Sequence, residues 1–205
     1  MREVALSRLP LGPYQTNCYL LSCPATQEGI IVDPSAEPDQ ILRAAQGLKI
    51  RCLFITHTHF DHLQALSEVQ KALGVPVLAH SLAAQKISVN QALQDGDALS
   101  FGEMKGTVFH TPGHTPDSLC LLLGKTLIAG DTIFPGGPGK TASPEAFQQI
   151  LHSLEARIWN LPDETMIYPG HGGETTVGQS RAEYQAFRSR PHPTPVYGDV
   201  LWLSS

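Results

Sequence analysis

An apolar strand that runs directly into a cluster of histidines constrains this chain more than any other feature. Residues 52–55 are the short apolar run Cys-Leu-Phe-Ile, which is typical of a strand buried on both faces. The next seven residues, 56–62, read Thr-His-Thr-His-Phe-Asp-His, and a helix is predicted over about 63–73. Such a cluster lies at a sheet edge, where folds of alternating strands and helices gather their binding sites.

The spacing within this cluster suits a metal site. His57 and His59 are two residues apart, so in an extended segment their side chains point the same way. Asp61 and His62 follow where the chain turns into the predicted helix, which directs them towards a second position nearby. Imidazole and carboxylate ligands together suit zinc or another borderline divalent metal.

Three more polar residues follow predicted strands in the same way. His114 lies in a Pro-Gly turn after a strand at 107–109, Asp131 follows a strand at 127–129, and His171 lies in a Pro-Gly turn after a strand at 165–168. The glycines permit turns tight enough to bring a side chain close to an ion. Because all three positions are strand ends, we expect them to converge with the first cluster. The remaining histidines are expected to be structural or solvated: His80, His110, His152 and His192.

These motifs resemble those of a known family. His-x-His-x-Asp-His at 57–62, Gly-His-Thr-Pro at 113–116, Gly-Asp-Thr at 130–132 and Pro-Gly-His-Gly at 169–172 are similar to the metallo-β-lactamase fold superfamily, and within it to the glyoxalase II-like (hydroxyacylglutathione hydrolase-like) enzymes. The resemblance implies an α/β fold, a four-layer αββα sandwich of two mixed sheets with helices on the outer faces. The length of the chain predicts one domain over residues 1–205. Full-length glyoxalase II enzymes add a helical C-terminal domain that binds glutathione, and we expect this chain to depart from the family by lacking it.

The same resemblance implies a site for two divalent ions, with zinc as the first choice and iron or manganese as alternatives. Each ion takes three side chains: His57, His59 and His114 for the first, and Asp61, His62 and His171 for the second. Asp131 would bridge both ions and, with Asp61, is an expected catalytic carboxylate. Asp33, in the pair Asp33-Pro34, would support the ligands from behind.

A site of this kind is expected to cleave a thioester by attack of a hydroxide that bridges the two ions, because coordination lowers the pKa of water to about 7. Lys140 looks like the glutathione-binding lysine of glyoxalase II and would bind a substrate carboxylate. Two differences weigh against glutathione itself. Ala142 stands where the family has an aromatic residue, and Gly172-Gly173 replaces its tyrosine.

Several other activities stay open. A mononuclear iron persulfide dioxygenase of the same fold would use His57, His114 and Asp131, although the Arg-x-Asp-Phe-like run of those enzymes is absent from 136–144. A hydrolase of lactones or other esters would use the same two ions. A true β-lactamase would normally be exported and lack the bridging aspartate, and a purely structural zinc site would be closed by four protein ligands.

The composition of the chain indicates which kinds of partner it binds and in which cellular compartment it is found. With 41% hydrophobic and 16% charged residues, the 205-residue chain is an ordinary globular protein. A net charge of −5 without a basic cluster disfavours nucleic acid, and no apolar run is long enough for a membrane span, so a small-molecule substrate is expected. Four cysteines without a Cys-x-x-Cys pair indicate free thiols, and with no signal-peptide pattern they favour the cytoplasm.

Overall fold

The first half of the chain forms a mixed six-stranded sheet. A computed structural model describes residues 3–192 and 194–205, and Met1, Arg2 and Pro193 lie outside the described residues. The strands lie side by side in chain order: β1 (Ala5–Leu11), β2 (Thr16–Ser22), β3 (Glu28–Val32), β4 (Lys49–Phe54), β5 (Val77–His80) and β6 (Gln91–Leu93). β1 to β3 pair antiparallel, and β3 to β6 pair parallel.

The second half forms another mixed six-stranded sheet and a small hairpin. The sheet order is β14, β13, β10, β9, β8, β7, and β10 and β13 are its parallel pair. Its strands are β7 (Ala98–Phe101), β8 (Met104–His110), β9 (Leu119–Leu123), β10 (Thr126–Gly130), β13 (Met166–Pro169) and β14 (Thr175–Thr176). The hairpin pairs β11 (Ile133–Phe134) with β12 (Gly137–Pro138).

Four α-helices accompany the sheets: α1 (Pro38–Ala44), α2 (Leu66–Leu73), α3 (Pro144–Ser153) and α4 (Val177–Arg188). Ser143 caps α3 by accepting a hydrogen bond from the Ala146 amide, as its place before Pro144 indicates. The expected start of α2 near residue 63 is wrong by three residues. The chain instead forms a 3₁₀ turn over Phe60–His62, and the amide of Ala65 donates to the carbonyl of Pro34.

Apolar side chains fill three separate layers, which makes the fold the αββα sandwich that the motifs imply. One layer lies between the sheets, one between the first sheet and α1 and α2, and one between the second sheet and α3 and α4; examples from each are Phe54 and Ile128, Ile41 and Val69, and Ile150 and Tyr184. Along β4, Phe54 faces the first of these layers and Leu53 the second. The prediction of a strand buried on both faces is therefore confirmed.

Two further expectations concern cysteines and membranes. All four cysteines are buried free thiols. In the described part of the chain, no helix combines the length and the apolar character needed to cross a bilayer.

Candidate metal centre

The edge of the sandwich at which β4, β10 and β13 end carries a cluster of imidazoles and carboxylates. The 57–62 segment follows β4, Asp131 follows β10, and His171 follows β13, while His114 lies in the loop between β8 and β9. The two parallel strands end together, since the Gly170 amide donates to the Gly130 carbonyl at 2.8 Å. The structure thus brings all seven residues proposed as ligands to one place, in groups whose ligand atoms lie within 4.8 Å of one another.

Three histidines form the first group. His57 Nε2 lies 3.1 Å from His59 Nδ1, and His59 Nδ1 lies 2.9 Å from His114 Nε2. Asp131 completes this group.

An aspartate and two histidines form the second group. Asp61 Oδ2 lies 3.2 Å from His171 Nε2 and 3.5 Å from His62 Nε2. Thr16 Oγ1 donates to the same Asp61 oxygen at 2.8 Å, which fixes the carboxylate in this orientation.

Asp131 lies between the two groups. Its Oδ1 is 3.3 Å from His62 Nε2 in the second group, and its Oδ2 is 3.5 Å from His114 Nε2 in the first. The Oδ2 atom is also 3.6 Å from His171 Nε2. A carboxylate in this position has the placement required of a ligand shared by two ions.

Hydrogen bonds behind the rings set the tautomers of four histidines. In each, Nδ1 donates to an oxygen, so the atom that faces the cluster and is available to bind a metal is Nε2. The pairs are His57 with Thr56 Oγ1 at 3.1 Å, His62 with Asp33 Oδ2 at 2.8 Å, His114 with the Lys140 carbonyl at 2.8 Å, and His171 with the Tyr14 carbonyl at 3.2 Å. Thr56 Oγ1 accepts from His57 because its own hydrogen is donated to Asp33 Oδ2 at 2.6 Å.

The donor set fits bound cations. The lone pairs of His57 Nε2 and His114 Nε2 both point at His59 Nδ1, which carries at most one hydrogen and so satisfies only one of them. His62 Nε2 and Asp131 Oδ1 are buried and have no hydrogen-bond partner among the described residues. Buried polar atoms without partners are costly, and a cation shared among them removes that cost.

Burial and neighbouring charges shift the pKa values of the clustered side chains in different directions. Burial lowers the pKa of His57 well below its usual value, so this imidazole is neutral and able to bind a metal at neutral pH. Burial alone would also lower the pKa of His62, but the carboxylates of Asp131 and Asp33 outweigh it and raise the value to about 10. The pKa of Asp131 is held below its usual value, because the imidazole of His62, 3.3 Å from Asp131 Oδ1, outweighs burial.

Asp33 lies behind the proposed ligands and is hydrogen-bonded to the segment that carries them. Its carboxylate accepts from the amide and the hydroxyl of Thr56 and from His62 Nδ1. Its backbone has a φ of 46°, in the left-handed region that few residues other than glycine, asparagine and aspartate adopt. A residue held in this conformation inside a hydrogen-bond network is typical of a functional site.

Several supporting residues were missed from the sequence. Thr56, inside the first motif, links Asp33 to His57, and its position next to the histidines was the available signal. Tyr19 and Asn17 of β2 donate to the Pro169 carbonyl at 2.6 and 3.0 Å and so hold the turn that carries His171. Both residues lie about 150 positions before Pro169 in the sequence, so no local sequence pattern could have predicted these hydrogen bonds.

The remaining candidates lie outside the cluster. The Lys140 side chain is exposed and lines a cavity of about 260 Å³ beside His171. His80 and His110 stack on each other with ring centroids 4.1 Å apart, His192 stacks on Phe187 at 3.8 Å, and His152 is exposed on α3. These four histidines belong to none of the ligand groups of the described residues.

Comparison with known proteins gives a family and relatives. A family model described as the metallo-beta-lactamase superfamily matches residues 11–171. The chain is 32% identical to a hydroxyacylglutathione hydrolase of Tolumonas auensis, over 78% of this chain and 63% of that protein. It is 27% identical to hydroxyacylglutathione hydrolase GloC of Haemophilus influenzae, over 84% of this chain and 93% of that protein. The chain thus spans less than two thirds of the Tolumonas relative.

Solved structures share the fold. The BLEG-1 B3 metallo-beta-lactamase superposes with a TM-score of 0.79 at 28% identity, covering 87% of this chain and 97% of that one. The protein TTHA1623 in a di-iron-bound form superposes with a TM-score of 0.73 at 32% identity, covering 85% of this chain and 96% of that one.

Proposed function

Because the chain belongs to the metallo-beta-lactamase superfamily, we propose that it is a hydrolase that holds two divalent metal ions and cleaves a thioester. The observation that carries the proposal is the position of Asp131, whose carboxylate oxygens lie within 3.6 Å of histidines from both groups of three ligands. The first ion would be held by the three histidines of the first group and the second by Asp61, His62 and His171. The hydroxyacylglutathione hydrolases among the relatives support a thioester as the substrate.

The proposed ligands differ in how far they are exposed to solvent. His57 and His62 are buried, whereas the side chains of Asp61 and His171 are 21% and 31% exposed. A substrate therefore reaches the site from the side of Asp61 and His171. Two divalent ions held there would supply hydroxide at neutral pH and polarise a carbonyl oxygen.

The carboxylates have the protonation state that this role needs. Burial raises the pKa of Asp61, but the hydrogen bond from His171 and the charge of His62 outweigh it, so the pKa lies below its usual value. Asp61 and Asp131 therefore remain anionic at neutral pH, and they are the proposed catalytic carboxylates. In the overall reaction the oxygen of water bonds to the acyl carbon, the carbon–sulfur bond breaks, and a carboxylic acid and a thiol are released. A thiolate leaves without a strong general acid.

The substrate class follows from the relatives and from Lys140. Lys140 lines the same cavity as His171 and has an exposed side chain, which can bind a carboxylate of the thiol or acyl part of a substrate. We propose a small acyl thioester as the substrate. A glutathione thioester is one candidate, which the names of the relatives support and the residues Ala142 and Gly172-Gly173 weigh against. Four buried free thiols support a reducing compartment, and we place the protein in the cytoplasm.

One observation favours an alternative in the choice of metal. The solved structure of TTHA1623 contains two irons at 32% identity to this chain, so iron is a candidate beside zinc, as is manganese. A mononuclear iron persulfide dioxygenase would need His57, His114 and Asp131 alone and would leave the second ligand group without a role. Hydrolysis of a lactone or another ester would use both groups.

The Asp131→Ala variant tests the proposal. We expect it to lose bound metal and thioester turnover together, because both groups lose their shared ligand. Metal content and hydrolysis of S-lactoylglutathione, simpler acyl thioesters, a lactone and a persulfide would be measured on the same preparations. His152→Ala, on the exposed side of α3, is the matched control and should keep both properties. Two retained ions with the full rate in Asp131→Ala would refute the bridging role, and wild-type protein inert towards every thioester would refute the activity.

A further inference from the structure

A cavity of about 260 Å³ opens beside His171, and the C-terminal segment forms one of its walls. Phe134, Pro138 and Lys140 line the side that belongs to the loop after Asp131. Asp199, Val200 and Leu201, which we call the C-terminal wall, line another side. A substrate whose reacting bond lies at the ligand cluster would extend its remaining atoms into this space.

The C-terminal wall is fixed to the loop after Asp131. The Trp202 amide donates to the Gly136 carbonyl at 2.7 Å, and the Thr141 amide donates to the Gly198 carbonyl at 3.1 Å. A side chain at Gly137 would overlap the carbonyl of Val200, so the two backbones are in close contact. The Trp202 side chain is fully buried behind the wall. These contacts hold the C-terminal wall in a fixed position at the cavity.

The cavity carries two opposite charges that are not paired with each other. Lys140 and Asp199 are both exposed, and among the described residues neither side chain has a hydrogen bond or an ion pair. Phe134, Val200 and Leu201, which line the same cavity, are apolar. A ligand that satisfies both charged groups carries a carboxylate and an ammonium.

We propose that Asp199 binds an ammonium group of the substrate and makes the C-terminal wall a specificity-determining surface. The substrate would then be a zwitterion, with its carboxylate on Lys140 and its ammonium on Asp199. The assignment of Lys140 and of a thioester rests on the proposed function, whereas the selection for an ammonium group does not need turnover. Asp199 would thus select for ligands that carry an ammonium group.

Binding of a stable ligand pair tests this proposal. S-methylglutathione carries the ammonium group and no free thiol, and its N-acetyl derivative lacks the positive charge. Calorimetry on the 205-residue chain should show the zwitterion binding about threefold to fivefold more tightly, as a solvent-exposed ion pair allows. Asp199→Asn should remove this preference, and Asp39→Asn, an exposed aspartate on α1 outside the cavity, should keep it.

The outcomes separate this proposal from the proposed function. Equal binding of the two ligands to the wild type, a preference that survives in Asp199→Asn, or no measurable binding of either ligand would overturn the role of Asp199. A preference that behaves as expected in a protein that hydrolyses no thioester would uphold the role of Asp199 and refute the thioesterase activity.

Discussion

Asp33 orients two of the proposed ligands at once. It accepts from His62 Nδ1 directly, and it fixes His57 through the hydroxyl of Thr56. Both rings consequently present Nε2 to the cluster. Hydrogen bonds of this kind behind metal ligands raise ligand basicity and hold the ring orientation.

Asp33→Asn is expected to weaken metal binding by about 10–100-fold while the fold is kept. The amide has a single oxygen, so either the Thr56 amide or the pair of donors at Oδ2 loses its acceptor. Asparagine also tolerates the left-handed backbone at this position. Competition against a chelator of known affinity measures the effect, and Asp39→Asn is the control. Equal affinity in the variant and the wild type would show that Asp33 does not tune the site.

At the scale of elements, the turns after the strands decide where the side chains meet. The turn after β13 packs directly on the turn after β10, and Gly170 lies at the contact. A Cβ at Gly170 would overlap Asp131 Oδ1 and lie 2.7 Å from His62 Cε1. At Gly173, three residues along the same turn, a Cβ would meet nothing within 4 Å.

Gly170→Ala should therefore abolish or strongly reduce metal occupancy, since the methyl group displaces two proposed ligands. Gly173→Ala should leave it unchanged. Zinc content after saturation and desalting, together with far-UV circular dichroism as a check on folding, distinguishes the two variants. A folded Gly170→Ala protein with wild-type zinc content would contradict this arrangement of the turns.

The strand-end motifs were readable from the sequence because each lies within a few residues of an apolar run. The fold followed from the order of those motifs and from the family resemblance. The start of α2 was missed because the chain between 63 and 65 bonds back to the Pro34–Ser35 turn, which helical periodicity does not report. Tyr19 and Asp199 were missed for a similar reason, since their roles depend on contacts between distant parts of the chain.

At the scale of the whole molecule, the C-terminal segment is part of the third apolar layer. Trp202 is fully buried and lies with its ring centroid 5.1 Å from those of Tyr184 and Phe187 of α4. Arg190 donates to the Leu203 carbonyl at 3.1 Å and also to that of Trp202. This packing stabilises α4 and the cavity wall together.

Trp202→Ala should lower the free energy of unfolding by about 3–5 kcal/mol, the usual cost of removing a buried aromatic side chain. For a chain of this size, that corresponds to roughly 6–20 °C in Tm. Leu203, next in sequence, is 59% exposed, and Leu203→Ala should change stability by less than about 0.5 kcal/mol. Thermal unfolding measures the Tm of both variants. Equal Tm values would show that Trp202 does not anchor the C-terminal segment.

The number of metal ions bound per chain tests the paired site most directly. The wild-type protein would be stripped with a chelator, saturated with zinc and desalted, and its zinc content would be measured by mass spectrometry against the protein concentration. We expect two ions per chain, one for each group of three side chains with Asp131 between them. One ion per chain or none, at saturating zinc, would contradict the two-ion centre.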